Sequence, residues 1–246
     1  MAKKSPPLIE LVGYPGSGKS SVARIVLEEL RKTGLRAESE DEDCTGNAPE
    51  GITRRIGRRV KHVFQFPRLT GRAYKFALTT GIEPWSAFRA AGRLSNLAVR
   101  VERSWDRDCD VLISDELFIH GLFSFWFGRV EKPEEKHVED MVGAIYSGRP
   151  HVLVYLDVPR NVCRERFSSR AGSMSRFNSE TREKMSQRFL NDRNYEIVLG
   201  CYERATGRNV VKVDAREGVA SVAEAVFEVA YGAIPRDTSR GKCNGV

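Results

Sequence analysis

Residues 8–32 read LIELVGYPGSGKSSVARIVLEELRK. A short, mostly apolar run comes first, as in a buried strand, and an amphipathic helical pattern comes last. Between them, Gly13–Ser20 fits G-x-x-x-x-G-K-[ST] at every fixed position. Glycines in such a loop let backbone N–H groups approach phosphates closely. The segment therefore predicts a strand, a phosphate-binding P-loop and a helix, in that order.

The residue types of the loop suit a nucleoside triphosphate. Lys19 is expected to neutralise the β and γ phosphates, and the Ser20 hydroxyl is expected to ligate magnesium. ATP and Mg²⁺ are therefore the expected ligands. The same loop serves kinases, GTPases and motor ATPases, so the rest of the chain must indicate the reaction. The predicted nucleotide-binding residues are Gly13, Gly16, Ser17, Gly18, Lys19, Ser20 and Ser21.

Short apolar runs alternate with helix-compatible segments along the chain, as in βα units around a parallel sheet. The runs are apolar almost throughout, which is expected where helices cover both faces of the sheet. We predict an α/β fold of the P-loop NTPase type: a parallel sheet of about five strands covered by helices on both faces, with a lid and an acceptor-binding helical insertion. The predicted strands are LIELVG, LRAES, DVLISDE, HVLVYLDV and VVKVDA.

Net charge, cysteine content and the N-terminal apolar run indicate the kinds of ligand and the cellular compartment to expect. The formal net charge of +7 suits anionic ligands but is too small to establish nucleic-acid binding. The five cysteines are scattered without a C-x-x-C pair or a Cys/His cluster, which favours reduced thiols. The N-terminal apolar run, Leu8 to Val12, is too short for a signal peptide or a membrane span, so a cytoplasmic protein without a transmembrane segment is expected. The sequence does not indicate the oligomeric state, and a homodimer is one of the possible states.

Three further segments resemble the thymidylate kinase-like branch of the nucleoside monophosphate kinases. Leu94 to Glu116 resembles that family's helix and the strand ending in Asp-Arg-aromatic, with Asp115 at the family's Asp. VLVYLDVPRNVCRERFSSR, residues 152–170, is similar to the strand and helix that carry an R-x-x-x-R pair into the lid. Residues 210–230 resemble the terminal strand and helix beside the adenine. With the P-loop, these segments cover about half of the chain.

The resemblance implies four catalytic residues: Lys19, Asp115, Arg166 and Arg170. Lys19 and the two arginines would place positive charge around the migrating group, which is the main need of phosphoryl transfer. Arg166 and Arg170 are four residues apart and share one face of a helix. Asp115, at a strand end, is expected to hold magnesium together with Ser20. The alternatives are a solvated helix for the arginines and a helix-starting carboxylate for Asp115.

A kinase is the predicted activity. The N-K-x-D segment that reads guanine in GTPases does not occur in the sequence, and no long motor or coiled-coil region does. Lid arginines argue against a regulator that binds ATP without transferring phosphate. Residues 8–234 are predicted to form a single P-loop kinase domain, residues 1–7 a flexible N-terminus and residues 235–246 a disordered tail. The small and polar segment from Ser173 to Ser179 predicts a mobile part of the lid.

The predicted acceptor-binding residues are Glu38, Glu40, Arg93 and Glu116. Glu116 replaces the family arginine that contacts the phosphate of a nucleotide acceptor, and a carboxylate there would repel that phosphate. Thymidylate is therefore expected to be a poor substrate, and the hydroxyl of a small molecule is favoured. Glu38 and Glu40 belong to ESEDED, residues 38–43; shikimate and gluconate kinases similarly carry acids after their second strand to hold an acceptor hydroxyl. A solvated acidic loop is the alternative.

The segment from Gly51 to Ile82 has no acidic residue and eight basic residues between positions 54 and 75. Its apolar residues fall at helical spacing from Ile52 to Phe64, which predicts a basic amphipathic helix. Such a helix would cover acceptor phosphates, contact a nucleic-acid backbone or lie on an anionic membrane. A solvated face balanced by ESEDED is the alternative. A kinase acting on a base or sugar within DNA, and a nucleoside monophosphate kinase, thus remain alternative functions.

Aromatic residues crowd the segment that follows Asp115. Most such clusters belong to a hydrophobic core, but a pocket that stacks a base or ring of the acceptor is the alternative. The residues are Phe118, Phe123, Phe125, Trp126 and Phe127.

Overall fold

Strands and helices alternate along the computed structural model, which describes residues 5–40, 67–79, 84–126, 134–170 and 194–235. The strands are β1 (Leu8–Val12), β2 (Ala37–Ser39), β3 (Val111–Ser114), β4 (His151–Asp157) and β5 (Val211–Asp214). The helices are α1 (Lys19–Lys32), α2 (Pro67–Thr79), α3 (Pro84–Ser104), α4 (Phe118–Trp126), α5 (Glu135–Tyr146), α6 (Arg160–Arg170), α7 (Asn194–Thr206) and α8 (Val219–Ala233).

The five strands form one parallel sheet in the order β2-β3-β1-β4-β5. Leu8 of β1 pairs with Leu112 of β3 and His151 of β4, so the carboxyl ends of the strands meet at one edge. The chain passes to one side of β1 to form β2 and β3 and to the other side to form β4 and β5. Ligands bind at such a switch point in open α/β sheets. The predicted fold class and all five predicted strands are confirmed.

Helices cover both faces of this sheet. Every residue of β1 and β3 is buried, which a sheet with one open face would not allow. Helix α1 packs against α8, while α2 to α5 and α7 contact one another in a second group. Buried Val22, Val26 and Leu30 lie on one stripe of α1, as its amphipathic pattern predicts.

Several predicted segments lie outside the described residues. They are residues 1–4, the acids at 41–43, the basic amphipathic helix at 52–64, Phe127, the segment 173–179 and the tail from 236. The described part of the basic stretch is α2, on which Arg68, Arg72 and Lys75 are exposed. Among the described helices, none combines the length and the apolar character that crossing a membrane requires.

Candidate active site

The P-loop joins the central strand β1 to helix α1 at the switch point of the sheet. Gly16 has a φ of 87°, in the left-handed region, and a Cβ there would lie 2.4 Å from the carbonyl oxygen of Cys163. L-residues disfavour this backbone conformation and the contact leaves no room for a side chain, so glycine is required for two reasons. The loop therefore packs directly on α6, the helix that carries the predicted lid arginines.

Lys19 is the first residue of α1 and is 8% exposed. Its Nζ donates to the carbonyl oxygens of Gly13, at 2.8 Å, and Tyr14, at 3.1 Å. A buried cation is costly unless polar groups surround it, and the loop carbonyls supply those groups. The ammonium is thus held against the curve of the P-loop, where the sequence predicts a phosphate.

The residues present fit a phosphate chain and magnesium. Ser17 Oγ is buried and has no hydrogen-bond partner among the described atoms. An unsatisfied buried hydroxyl is unfavourable, and a phosphate oxygen would accept its proton. Ser20 is exposed in the first turn of α1 and Asp115 lies at the end of the neighbouring strand β3. A hydroxyl and a carboxylate are the oxygen ligands that Mg²⁺ prefers.

Asp115 and Glu116 follow β3 and precede α4. Asp115 is 8% exposed, whereas Glu116 is exposed. Since β3 pairs with β1, Asp115 reaches the same edge of the sheet as Lys19. The fold therefore brings these two predicted catalytic residues to one edge of the sheet, and their catalytic and magnesium-binding roles stay predictions.

The predicted lid arginines lie on α6. Arg166 is partly buried, and Arg170 ends the helix with its side chain outside the described part. Burial raises the pKa of Cys163 to about 11, while Lys19 and Arg166 act on it in the opposite direction. Both cations therefore lie near this thiol, which is itself beside the P-loop. Arg166 and the P-loop lysine share one side of the molecule, as phosphoryl transfer would require.

Aromatic rings support the loop from the protein interior. The Tyr195 hydroxyl donates to Gly13 O at 2.5 Å, and its ring stacks on Tyr14 at 4.2 Å and on Phe123 at 3.8 Å between centroids. The Arg160 guanidinium lies 5.5 Å from the Tyr14 ring, within range of a cation–π interaction. Among the described aromatic residues after Asp115, Phe123 thus belongs to the core, as do Phe118 and Trp126.

Sequence reasoning missed Glu10, which is fully buried in β1. Its Oε1 accepts from the backbone N–H of Ile119 at 2.9 Å and of His120 at 3.2 Å, and its Oε2 accepts from the Tyr146 hydroxyl at 2.6 Å. A carboxylate at a helix N-terminus satisfies free N–H groups and complements the helix dipole. Glu10 therefore anchors the start of α4 to the strand that leads into the P-loop.

Two more buried side chains complete this network. His151 Nε2 lies 3.5 Å from Glu10 Oε2, and His151 Nδ1 lies 2.9 Å from the Tyr202 hydroxyl. Nδ1 hydrogen-bonds with the Tyr202 hydroxyl, whereas the buried Nε2 faces the carboxylate without a hydrogen bond among the described atoms. Burial lowers the pKa of His151 and raises the pKa of Tyr146 well above its usual value, so both stay uncharged near neutral pH.

His120 was missed as well. Burial lowers its pKa to about 3, and the nearby charges of Lys19 and Arg93 act in the same direction. The imidazole is therefore neutral at physiological pH, and its Nδ1 is buried without a hydrogen-bond partner among the described atoms. The sequence offered one signal, a lone histidine five residues after Asp115 in an apolar segment.

The predicted acceptor residues Glu38 and Glu40 are engaged in ion pairs at the end of β2. Glu40 is buried; its carboxylate lies 2.7 Å from Arg107 and 3.2 Å from Arg100, and it accepts from the Ser104 hydroxyl. Glu38 lies 3.2 Å from Arg107. Burial raises the pKa of Glu40, and the two arginines oppose that shift. These contacts fasten β2 to α3 and its C-terminal end, and acceptor binding by either glutamate stays a prediction.

A second crevice, of about 410 Å³, lies at the carboxyl ends of β4 and β5. Asp157 and Asp214 are paired in register there, and Pro159, Lys212 and Arg216 complete the lining. Hydrogen bonds from Arg216 lower the pKa of Asp214 to about 2, so this carboxylate is ionised in the folded protein. The P-loop follows β1, on one side of β4, and the crevice lies toward β5, on the other side. Its carboxylates and cations can form hydrogen bonds with a ligand.

Known proteins similar to this chain include a nucleotide hydrolase and a kinase, although no family model matches it. The nucleoside-triphosphatase THEP1 of Ignicoccus hospitalis is 28% identical over 147 residues, which cover 60% of this chain and 74% of the relative. Shikimate kinase from Acinetobacter baumannii in complex with shikimate aligns over 93% of this chain and 95% of its own, with 17% identity and a TM-score of 0.43. Neither is a thymidylate kinase, and the resemblance to that branch stays a prediction. The strand order and the loop geometry give the chain an α/β fold of the P-loop NTPase type.

Proposed function

We propose that the protein is an ATP-dependent kinase that transfers the γ-phosphoryl group to a hydroxyl or phosphate oxygen of an acceptor, with a small-molecule hydroxyl favoured. The observation that carries the proposal is the meeting of three groups at one edge of the sheet: buried Lys19, Asp115 at the next strand end, and Arg166 on the helix packed against the P-loop. Phosphoryl transfer depends on such positioned charge more than on covalent chemistry.

We expect ATP to bind in one orientation. The phosphates would lie on the loop from Gly13 to Ser20, where Ser17 Oγ lacks a partner among the described atoms. The base would lie toward the crevice at the ends of β4 and β5, where Asp157, Lys212 and Asp214 offer hydrogen-bonding groups. The acceptor would then approach from the opposite side, between Asp115 and α4.

In the proposed reaction, an acceptor oxygen attacks the γ-phosphorus while the bond to the β–γ bridging oxygen breaks. The bond electrons leave with ADP, and the hydroxyl proton passes to a nearby carboxylate or to water. Lys19 neutralises charge on the phosphates, and Arg166 adds positive charge on the lid side and helps to exclude water. Magnesium, held by Ser20 and Asp115, would stabilise negative charge on the phosphate oxygens.

Hydrolysis of a nucleoside triphosphate is the second candidate, because the similar THEP1 protein is a nucleoside-triphosphatase. Incubation with Mg²⁺ and γ-labelled ATP separates the two. A kinase transfers the label to acceptors from a panel of sugar alcohols, sugar acids, nucleosides, thymidylate and DNA oligonucleotides. Release of labelled phosphate at one rate with and without every acceptor would support the hydrolase. Labelled thymidylate would instead support a nucleoside monophosphate kinase, which the sequence resemblance favours. Labelled DNA would support a kinase that acts on nucleic acid, which the exposed basic residues of α2 favour.

Asp115→Asn is expected to lower kcat by about 10²-fold and to shift the magnesium dependence to higher concentrations. The substitution removes one charge at nearly constant shape, so its effect reports on the carboxylate itself. The measurement is a magnesium titration of ATP turnover. Asp140→Asn, at an exposed position of α5, is the matched control and is expected to behave as wild type. An unchanged titration for Asp115→Asn would leave this residue with a structural role only.

Arg166→Ala is expected to lower kcat on the order of 10²-fold, with a smaller change in the KM for ATP, because its charge acts mainly in the transition state. Arg164, on another face of α6, provides the comparison, and Arg164→Ala is expected to have a much smaller effect. Steady-state kinetics with ATP as the varied substrate decide this. A rise in KM alone would show that Arg166 only binds ATP, and equal losses in both variants would contradict the assignment to one helix face.

A further inference from the structure

A cleft of about 240 Å³ lies between helices α3 and α4. Arg89 and Arg93 line it from α3, and Gly121, Ser124 and Phe125 line it from α4. Among the described residues that form its walls there are two cations and a hydroxyl, but no carboxylate. The cleft is therefore electropositive and offers hydrogen-bond donors.

The two arginines are placed to act together. Arg89 and Arg93 are four residues apart, so they lie on the same face of α3, and both are exposed. Like charges at this spacing destabilise a helix slightly, and a bound anion would relieve that repulsion. Guanidinium groups bind carboxylate and phosphate through paired hydrogen bonds. The pair therefore suits a phosphate or a carboxylate better than a neutral group.

Helices α3 and α4 pack closely beside the cleft. A Cβ added to Gly121 would lie 2.3 Å from Leu97 Cδ1 of α3, so the backbone of α4 approaches α3 at this residue. A larger residue would have to displace that leucine or separate the helices. Glycine at this position thus brings the two helices together beside the arginine pair.

Helix α4 connects the cleft to the strand that leads into the P-loop. Gly121 follows His120, whose backbone N–H donates to Glu10 of the strand leading into the P-loop. Lys19 and Arg93 both lie near enough to His120 to influence its pKa. A ligand held by Arg93 would therefore lie in the same region of the molecule as His120 and the P-loop lysine.

We propose that this cleft binds an anionic group of the phosphoryl acceptor, a phosphate or a carboxylate, through Arg89 and Arg93. The inference rests on the proposed kinase function and narrows its substrate class. The acceptor carries a negative group at one position and the oxygen that receives the phosphoryl group at another. Lys19 does not line this cleft, so the two cationic sites would hold different phosphates or a phosphate and a carboxylate.

The test is a calorimetric titration of the full chain in two steps at constant ionic strength. Binding of a non-hydrolysable ATP analogue with Mg²⁺ is measured first and tests the nucleotide site by itself. Inorganic phosphate and, separately, acetate are then titrated into the protein saturated with the analogue, which blocks the P-loop. Saturable binding of at least one anion is expected, and the stronger of the two identifies the group that the cleft prefers.

Matched variants assign that binding to the cleft. Arg93→Gln and Arg89→Gln are each expected to weaken anion binding about 10- to 100-fold, because each removes a charged donor. Arg93→Lys should retain part of the anion affinity that Arg93→Gln loses. Arg103→Gln, about 15 Å further along α3, is the control and should bind the anion as wild type does. In the acceptor screen, Arg93→Gln should raise the acceptor KM by a similar factor and leave the KM for ATP unchanged.

Each failure points to a different error. If the ATP analogue does not bind, the proposed function is contradicted. The cleft is then tested by comparing anion binding to the wild type and to Arg93→Gln. If the analogue binds but neither anion does, or if Arg103→Gln weakens anion binding as much as Arg93→Gln, the cleft proposal is overturned. An acceptor KM that Arg93→Gln does not change would likewise overturn it.

Discussion

Lys19→Ala is expected to lower kcat for ATP turnover by about 10²- to 10³-fold while the protein stays folded. The ammonium is held 2.8 Å from Gly13 O within the loop, where it can neutralise phosphate charge as it develops. Water is a poor replacement for the ammonium. A charge that is already in position in a site of low dielectric needs no reorganisation during the reaction, whereas water molecules must reorient. The loss should therefore appear in the chemical step.

The fold should survive this change because the loop keeps other support. Gly13 O still accepts from the Tyr195 hydroxyl, and the Tyr14 ring remains stacked on Tyr195. Lys32→Ala, at the exposed end of the same helix, is the control and should retain wild-type kcat. Circular dichroism and the thermal midpoint verify folding in both variants. Activity of folded Lys19→Ala within tenfold of wild type would contradict the assignment of the P-loop.

Glu10→Ala is expected to lower the free energy of unfolding by about 3–5 kcal/mol, because three donors lose their acceptor at a cost of about 1–3 kcal/mol each when buried. The substitution would leave the N–H groups of Ile119 and His120 and the hydroxyl of Tyr146 without their acceptor. Each is buried or partly buried, so water does not replace the carboxylate without a cost. A cavity in the central strand adds to the loss.

Denaturant unfolding of three variants measures how much the hydrogen bonds of Glu10 contribute to stability. Glu10→Gln keeps one oxygen acceptor and should cost less than Glu10→Ala, about 1–3 kcal/mol. Glu28→Ala removes an exposed glutamate of α1 that pairs with Arg24, and its unfolding midpoint should match wild type. A loss below about 1 kcal/mol for Glu10→Ala would mean that the network contributes little to stability. Since Glu10 anchors α4, the variant should also weaken the anion binding proposed for the cleft.

Local patterns were enough to predict the fold. Apolar runs identified all five strands, and the Gly-x-x-x-x-Gly-Lys-Ser segment identified the loop, because both signals lie within a few neighbouring residues. The arrangement of Lys19 and Asp115 at one edge could also be expected, since carboxyl ends of parallel strands converge. These features depend on residue type and spacing alone.

The roles of acidic residues were harder to predict. Glu38 and Glu40 were predicted to bind the acceptor from their place after the second strand. The folded chain pairs Glu40 with Arg100 and Arg107, which are sixty or more residues away in sequence. Glu10 was hidden within an apolar run, yet it bonds to Tyr146 at a separation of 136 residues. No local pattern contains such partners.

The P-loop and the parallel sheet follow from short-range periodicity and from a motif whose chemistry is local, and the same motif predicts the class of ligand. The ion pairs of Glu40, the burial of His120 and the cleft in which Arg89 and Arg93 meet α4 arise instead from contacts between residues far apart in sequence. The physical reason is that burial, and hence the protonation and hydrogen bonding of a side chain, is set by whichever distant residues pack around it.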